Sequence, residues 1–374
     1  MADFPEKRVA VILPPREGFG PQSAGAVALL QARLAKPDAA HASGFAVTIV
    51  GAPQKGEIFP LPFLPADESW SLWGSDARYA AAVTRVLRRL KPDLIEVHNR
   101  PDLARRLAAS FAPRRIALFL HNDPRSMRGA KHAAARAALS RKLGAVVCVS
   151  RFLADAWMEG IAIKTVLAPR VLPNSLDLSA LPSPLPPAER DKVIVFAGRV
   201  VADKGADSFV RACAQALPQL PGWQAIMIGA DRFRADSPET PFTERLRPEA
   251  EAAGIALLGY RDHATVMAAL SRAAIAVLPS RWPEPFGLAA LEALANGAAL
   301  LASHRGGLAE LAAGASVAID PDDVSGVAAA LVSVARDPER RAALSQAGLD
   351  RALRYDLPEA RRRLDALRME LLTS

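Results

Sequence analysis

Short uninterrupted apolar runs recur along this chain, each closed by proline, glycine or a polar cluster. Residues 8–14 (RVAVILP), 45–50, 94–97, 116–120 and 145–149 are the first five. Runs of this length without polar alternation read as strands buried on both faces. Stretches of helical period lie between them, at residues 24–34 and 78–90, the second ended by Lys91-Pro92. The chain thus opens as strand, glycine loop, helix, strand. The segment 166–173 leads into Pro173-Asn174-Ser175. Pro182, Pro184, Pro186 and Pro187 then crowd into eight positions and read as a stiff, extended linker. The rhythm restarts at residues 193–198, with further strands expected at 225–228, 255–258, 274–278, 298–302 and 316–319. Alternation of this kind predicts parallel, doubly wound sheets. The expected organisation is two α/β domains, 1–178 and 191–345, a linker at 179–190 and a C-terminal helical segment at 346–374. The last helix there, 358–372, is amphipathic and basic.

In open parallel sheets, ligands collect beyond the carboxyl ends of the strands. In the second half this rule selects Arg199 and Lys204, Gly229, Gly259-Tyr260-Arg261, Glu284 to Leu288, and Arg305-Gly306-Gly307. In the first half it selects the loop from Gly18 to Gly25, His98-Asn99 and His121-Asn122-Asp123.

The stretch 280–297 concentrates the chemistry. Glu284 stands in a proline-bracketed loop. Pro285 requires the next helix to start near Phe286 or Gly287, because only a first turn can spare an N–H. Gly297 closes that helix as a C-cap. Glu292 lies about a turn and a half into it. Between the two carboxylates are the backbone N–H groups of a helix start, which suit a phosphate. Arg199 and Lys204 can neutralise a diphosphate, and Glu292 can accept hydrogen bonds from ribose hydroxyls. Two glutamates alone would equally be a solvated loop and a helix surface. The Pro-Phe-Gly turn and the two cations select a site.

Other chemistries find less support. Gly18-Phe19-Gly20-Pro21-Gln22-Ser23 falls one residue short of a dinucleotide fingerprint, and the second strand ends in Gly51-Ala52-Pro53 with no acid for a ribose. Ser23 lacks the Gly-x-Ser-x-Gly spacing of a hydrolase elbow. No two of the six histidines stand at i, i+4, so no metal site is expected. Cys148 and Cys213 sit in apolar contexts and read as buried thiols of a reducing compartment. Asp320-Pro321-Asp322 imitates a metal-binding Asp-x-Asp but precedes a helical pattern at 324–335, and reads as helix N-capping.

At 374 residues the chain exceeds one ordinary core, and 51% hydrophobic with 23% charged content excludes disorder. The first eight residues lack a signal peptide's apolar core, and no run of about 20 apolar residues would span a membrane. A cytoplasmic protein is expected. The net charge of +8 is uneven: residues 85–142 hold fifteen Lys and Arg against four Asp and Glu, a local excess of +11. Such a region attracts an anionic acceptor or the anionic inner face of a membrane, or is a solvated arginine-rich surface. Nucleic acid is not an expected partner, since the region lacks interleaved aromatics for base stacking.

Glu284-Pro-Phe-Gly-Leu-x-x-Leu-Glu292-Ala, Gly198-Arg199-x4-Lys204-Gly205, Pro173-Asn174 and Ser303-x-x-Gly306-Gly307-Leu-x-Glu310 resemble retaining glycosyltransferase family 4, the group 1 transferases. The resemblance runs from about Val193 to Val334, and over the first half rests on topology, the glycine loop and His121. It implies the GT-B architecture, two Rossmann-like domains facing across a cleft, and transfer of a sugar from a nucleotide diphosphate with retention. Its implied roles are Arg199 and Lys204 on the diphosphate, Glu284 on the sugar hydroxyls, and Phe286, Gly287 and Leu288 as backbone donors. Glu292 would hold the ribose and Gly259 and Tyr260 border the base. His121 would lie beside the donor sugar, and the Gly25 loop near phosphate or acceptor. A UDP-sugar is the expected donor, with GDP-sugars open, and neither metal nor cofactor is implied. Asn99-Arg-Pro-Asp102 and His121-Asn-Asp-Pro-Arg125 resemble a subset that builds lipopolysaccharide and envelope glycans, which implies a glycan or glycolipid acceptor. The chain departs from the family pattern at Ala24-Gly25, Pro173-Asn174-Ser175 and Asn296-Gly297-Ala298-Ala299. An epimerase or phosphorylase of the same fold, and a binding or coat protein without catalysis, are the alternatives.

Overall fold

A computed structural model of the chain describes residues 6–21, 23–36, 43–67, 75–162, 166–232 and 238–373. His41 and Gln22 of the glycine loop lie outside these residues. The chain divides into two compact units, residues 1–175 with 357–374, and residues 176–356.

The first unit alternates strand and helix: β1 (Lys7–Ile12), α1 (Ala26–Ala35), β2 (Phe45–Gly51), β3 (Phe63–Pro65), α2 (Ser75–Leu90), β4 (Leu94–His98), α3 (Pro101–Leu107), β5 (Ile116–Leu120), α4 (Ala133–Lys142), β6 (Ala145–Cys148), α5 (Arg151–Met158) and β7 (Arg170–Val171). The described strands form one parallel sheet in the order β3-β2-β1-β4-β5-β6-β7. Every residue of β4 and β5 is buried, which is why these strands show no polar alternation.

The second unit repeats the pattern: β8 (Asp191–Ala197), α6 (Ala206–Ala216), β9 (Gln224–Ile228), α7 (Pro241–Ala252), β10 (Ile255–Gly259), α8 (His263–Arg272), β11 (Ala273–Leu278), α9 (Leu288–Ala295), β12 (Ala299–Ser303), α10 (Gly307–Ala312), β13 (Ser316–Ile319), α11 (Val324–Arg336) and α12 (Pro338–Ala352). Its sheet is parallel in the order β10-β9-β8-β11-β12-β13. The core between sheet and helices is built from Ile194, Phe209, Ile275, Leu301 and Leu331, all fully buried.

Two expected boundaries move. A break at 345/346 would cut α12, and the change of unit falls at 356/357 instead. The proline-rich stretch is grouped with the second unit, where Leu185 N–H donates to Ser271 O at 3.2 Å. The buried Arg190 guanidinium that follows donates to Ala273 O at 2.9 Å and Asn296 O at 2.6 Å. The last helix, α13 (Leu357–Thr373), belongs to the first unit. Its Leu364, Leu367 and Leu371 join the core of β1 and β2, and Arg368 makes a bidentate ion pair with Glu96 of β4 at 2.7 and 3.0 Å. Arg361 of the same helix is also buried and donates to Arg33 O at 2.8 Å and Lys36 O at 2.9 Å, so the basic character seen in this helix's sequence includes two cations that are structural.

Candidate active site

In the second unit the strand order reverses between β8 and β11, so the loops that follow these two strands diverge and leave room at the carboxyl edge. One loop carries Arg199 and Lys204 and the other carries Glu284. Lys204 Nζ lies 2.5 Å from Glu284 Oε1, and Ser280 Oγ donates to the same oxygen at 2.8 Å. The backbone holds this pair in place. A 3-10 turn, Ala202–Lys204, ends on Gly205 at φ +69°, where a Cβ would lie 1.8 Å from Pro279 O. Asp203 O accepts the N–H groups of Arg281 at 2.8 Å and Trp282 at 3.0 Å. The Arg281 guanidinium crosses back to Ala202 O at 2.9 Å and to both oxygens of Asp207 at 2.7 and 3.1 Å. On its far side, Glu284 O accepts Gly307 N–H at 2.6 Å.

Phe286 is buried and meets Tyr355 edge-on at 5.6 Å, so its ring is an anchor and only its backbone can face a ligand. Gly287 adopts φ +99° and Leu288 opens α9. The helix therefore starts three positions after Pro285, just past the expected Phe286 or Gly287, and its first N–H groups have no partner within the helix. Glu292, in the second turn of α9, accepts a hydrogen bond from His263 Nε2 at 2.9 Å. Gly259 ends β10 and its carbonyl accepts Gly229 N–H at 2.9 Å, while Tyr260 follows half-buried. Arg199 is half-buried, beside Val200 whose N–H donates to Ala230 O at 2.9 Å.

Ser280, Arg281, Asp203 and His263 support the expected residues and were not singled out by sequence. Ser280 and Arg281 lie just past the carboxyl end of β11, so the strand-end rule reaches them. Asp320 and Asp322 are corrected: they do not cap α11. Asp323 does, accepting Gly326 N–H at 2.9 Å. Asp320 and Asp322 both pair with Arg305, at 2.9 and 2.8 Å, and Asp322 also holds Arg281 at 2.7 Å. Arg305, with its guanidinium in this network, supports the loops.

The first unit has its own reversal, between β1 and β4. Gly25 precedes α1, and the Glu17 carboxylate caps that helix, accepting Ala28 N–H at 2.9 Å. A Cβ at residue 25 would lie 2.7 Å from Glu17 Oε1. The loop expected to approach a phosphate or acceptor therefore already carries an anion of the chain's own. Burial raises the Glu17 pKa, while the N–H groups of Ala28 and Val27 and the charge of Arg100 oppose that rise. His121 follows β5, and its Nε2 lies 2.9 Å from His98 Nδ1. Its backbone N–H donates to Asn99 Oδ1 at 2.7 Å, with Asn99 held at φ +54°. Burial pushes His121 down to about 4, with the side chain of Asn174 opposing the shift. Burial, together with the charges of His121 and Arg368, pushes His98 well below its ordinary value. Both rings are neutral at pH 7, and His121 is an uncharged hydrogen-bonding group. Both cysteines are buried and their thiols are raised above the ordinary range by burial, which leaves them inert.

Two family descriptions match the chain side by side. Residues 180–351 match "Glycosyl transferases group 1", and residues 38–179 match "Glycosyltransferase Family 4". The chain belongs to the group 1 glycosyltransferases of family 4 type. The lipopolysaccharide core biosynthesis mannosyltransferase LpsB of Rhizobium meliloti is 35% identical over 41% of this chain and 44% of its own length. The chain thus matches less than half the length of this relative. Among solved structures, sucrose-phosphate synthase from Thermosynechococcus elongatus superposes with a TM-score of 0.76 at 21% identity, covering 98% of this chain and 99% of that one. Anabaena Alr3699/HepE in complex with UDP and glucose gives 0.72 at 20% identity, covering 95% and 97%. These likenesses establish the GT-B fold of two Rossmann-like parallel-sheet domains. In this chain, Lys204, Glu284, Glu292 and His263 lie inside the group 1 match and His121 inside the family 4 match. Gly25 precedes both.

Proposed function

We propose that the protein transfers a sugar from a nucleotide diphosphate, with retention at the anomeric carbon, to a glycan or glycolipid of the lipopolysaccharide type. The observation that carries this is the Lys204–Glu284 pair at the β8/β11 reversal, next to the start of α9. A cation, a carboxylate and the N–H groups of a helix start are brought to one loop cluster there, as a sugar diphosphate requires. Donor binding draws Lys204 and Arg199 onto phosphate oxygens and leaves Glu284, still held by Ser280, for the sugar hydroxyls. As the bond to the sugar breaks, charge grows on the diphosphate. Lys204, Arg199 and the N–H groups of residues 286–288 stabilise it, each such preorganised group contributing about 3 kcal/mol. No divalent metal is then needed at the leaving group. Front-face attack by the acceptor hydroxyl is the mechanism the family resemblance supplies. The UDP complex of HepE supports a UDP-sugar donor, and the lipopolysaccharide core biosynthesis mannosyltransferase LpsB supports the acceptor class.

Part of the basic charge is placed for a surface role rather than for acceptor binding. Lys7, Arg8, Lys91, Arg114, Arg115, Arg141 and Lys142 are exposed at or just before the amino ends of the neighbouring strands β1, β4, β5 and β6. That edge is opposite the one where ligands collect. Among these strand starts, Asp93 accepts the Arg8 backbone N–H at 2.9 Å and pairs with Arg115 at 3.9 Å. The row, about 15 Å wide at ordinary strand spacing, suits the anionic inner face of the cytoplasmic membrane. No described helix is long and apolar enough to cross a membrane.

The test is a thermal-shift screen across UDP-, GDP- and ADP-sugars, followed by release of nucleotide diphosphate with lipopolysaccharide-core acceptors. A bound donor raises the midpoint. No shift with any donor and no release would overturn the reading, and co-sedimentation indifferent to anionic lipid would remove the membrane part.

A further inference from the structure

Glu292 is assigned above to the ribose, and the following inference rests on that assignment. A ribose offers two neighbouring hydroxyls, and a carboxylate receives both only if its plane is fixed. Glu292 has one face in α9, half-buried, and nothing in that helix fixes its rotation. The contact that does comes from another element: His263, the first residue of α8, places Nε2 2.9 Å from Glu292 Oε1. We propose that His263 is a positioning residue for the nucleoside, setting the plane in which Glu292 meets the ribose diol.

The chemistry of the bond assigns the proton. An ionised carboxylate only accepts, so Nε2 must carry hydrogen whether or not the ring is charged. His263 is itself held by its backbone. It follows Asp262, the N-cap of α8, whose side chain accepts Thr265 N–H at 2.8 Å and Thr265 Oγ at 3.1 Å. Asp262 is also two residues beyond Tyr260, in the segment expected to border the base. One short stretch, 259–263, thus carries both the base border and the group that orients the ribose ligand. The hydrogen bond occupies one lone pair of Oε1 and leaves Oε2 and the remaining lone pair for hydroxyls. The Glu292 side chain is 18% exposed and that of His263 49%, so the pair faces solvent from the histidine side and a ligand can reach it.

The test is calorimetric binding of UDP and 2′-deoxy-UDP, with GDP and 2′-deoxy-GDP in parallel, to the wild type, His263→Ala, His263→Gln and Glu292→Gln. His263→Ala is expected to weaken the ribonucleotide roughly tenfold, as loss of a hydrogen bond to a charged group does. It should weaken the deoxynucleotide much less, so that ribose discrimination falls. His263→Gln, which restores an N–H donor, should recover most of the loss. A purely structural role would weaken both nucleotides equally and would overturn the inference, as would wild-type affinity and discrimination in His263→Ala. If Glu292→Gln alone loses discrimination, the ribose assignment stands and the role of His263 fails. If Glu292→Gln also keeps it, the ribose assignment itself fails and the inference with it.

Discussion

Lys204 Nζ and Glu284 Oε1 meet at 2.5 Å although 80 positions separate them in the chain. The cation expected on a diphosphate and the carboxylate expected on a sugar neutralise one another, with Ser280 as the third member. The site is thereby charge-balanced before any substrate arrives, which lowers the cost of keeping both groups half out of water. Lys204→Ala should lower the turnover number by at least about a hundredfold, the scale of losing one preorganised donor to a developing oxyanion. The thermal midpoint should change little, because pairs that retain contact with solvent contribute about 1 kcal/mol or less. Full transfer activity in the purified variant would refute this assignment.

Gly306 tests the geometry without touching a charge. It adopts φ +69°, and a Cβ there would lie 2.5 Å from Glu284 O. Gly306→Ala must either move the Glu284 loop or strain it, at about 1–3 kcal/mol. Urea denaturation should show that loss, and nucleotide-sugar affinity should fall with it. A variant of wild-type stability and affinity would mean that the loop has slack.

The His98 and His121 imidazoles predict a pH dependence of stability. His121 sits at about 4 and His98 well below its ordinary value, so the native state binds fewer protons than the unfolded chain. Their contribution is complete above the unfolded value near 6.5 and is lost as pH falls toward 4. The slope reaches about 1.4 kcal/mol per pH unit for each histidine. Urea titrations at pH 7, 6 and 5 should show this decline, and His121→Asn should make it shallower. An equal slope in wild type and variant would contradict the neutral pair.

Arg368 and Glu96 are almost fully buried, with side chains 6% and 1% exposed. Arg368→Met leaves the carboxylate unpaired and should destabilise the first unit by about 3–5 kcal/mol. Replacing both, as Arg368→Met with Glu96→Leu, should cost much less. Chemical denaturation distinguishes the two, and limited proteolysis should show α13 cut first in the single variant.

What could be read from sequence follows the size of the buried side chains. β5 and β13 fall where the apolar runs 116–120 and 316–319 place them. α12 escaped because its buried positions include Ser345, Gly348 and Ala352, small residues that leave no apolar stripe. β3 escaped because Pro60, Pro62 and Pro65 surround it, and an edge strand tolerates proline where an inner one does not. At the site, Lys204, Glu284 and Glu292 were each legible because they sit at strand ends or a helix start. Their partners were not. Which side chain Glu292 accepts from depends on how α8 lies against α9, and no local pattern records that. The Glu17 cap was hidden for the same reason, since it reaches eleven positions along the chain to Ala28.

The return of α13 to the first unit has a consequence for how the protein is made. Its residues 357–373 supply core leucines to strands that begin at residue 7. On the ribosome, the contiguous second unit has all of its residues in hand before the first unit has its last helix. Folding from the amino end, the usual vectorial order, is therefore inverted at its final step. The nascent first sheet must wait with part of an apolar face uncovered, beside α1, until α13 emerges to cover it.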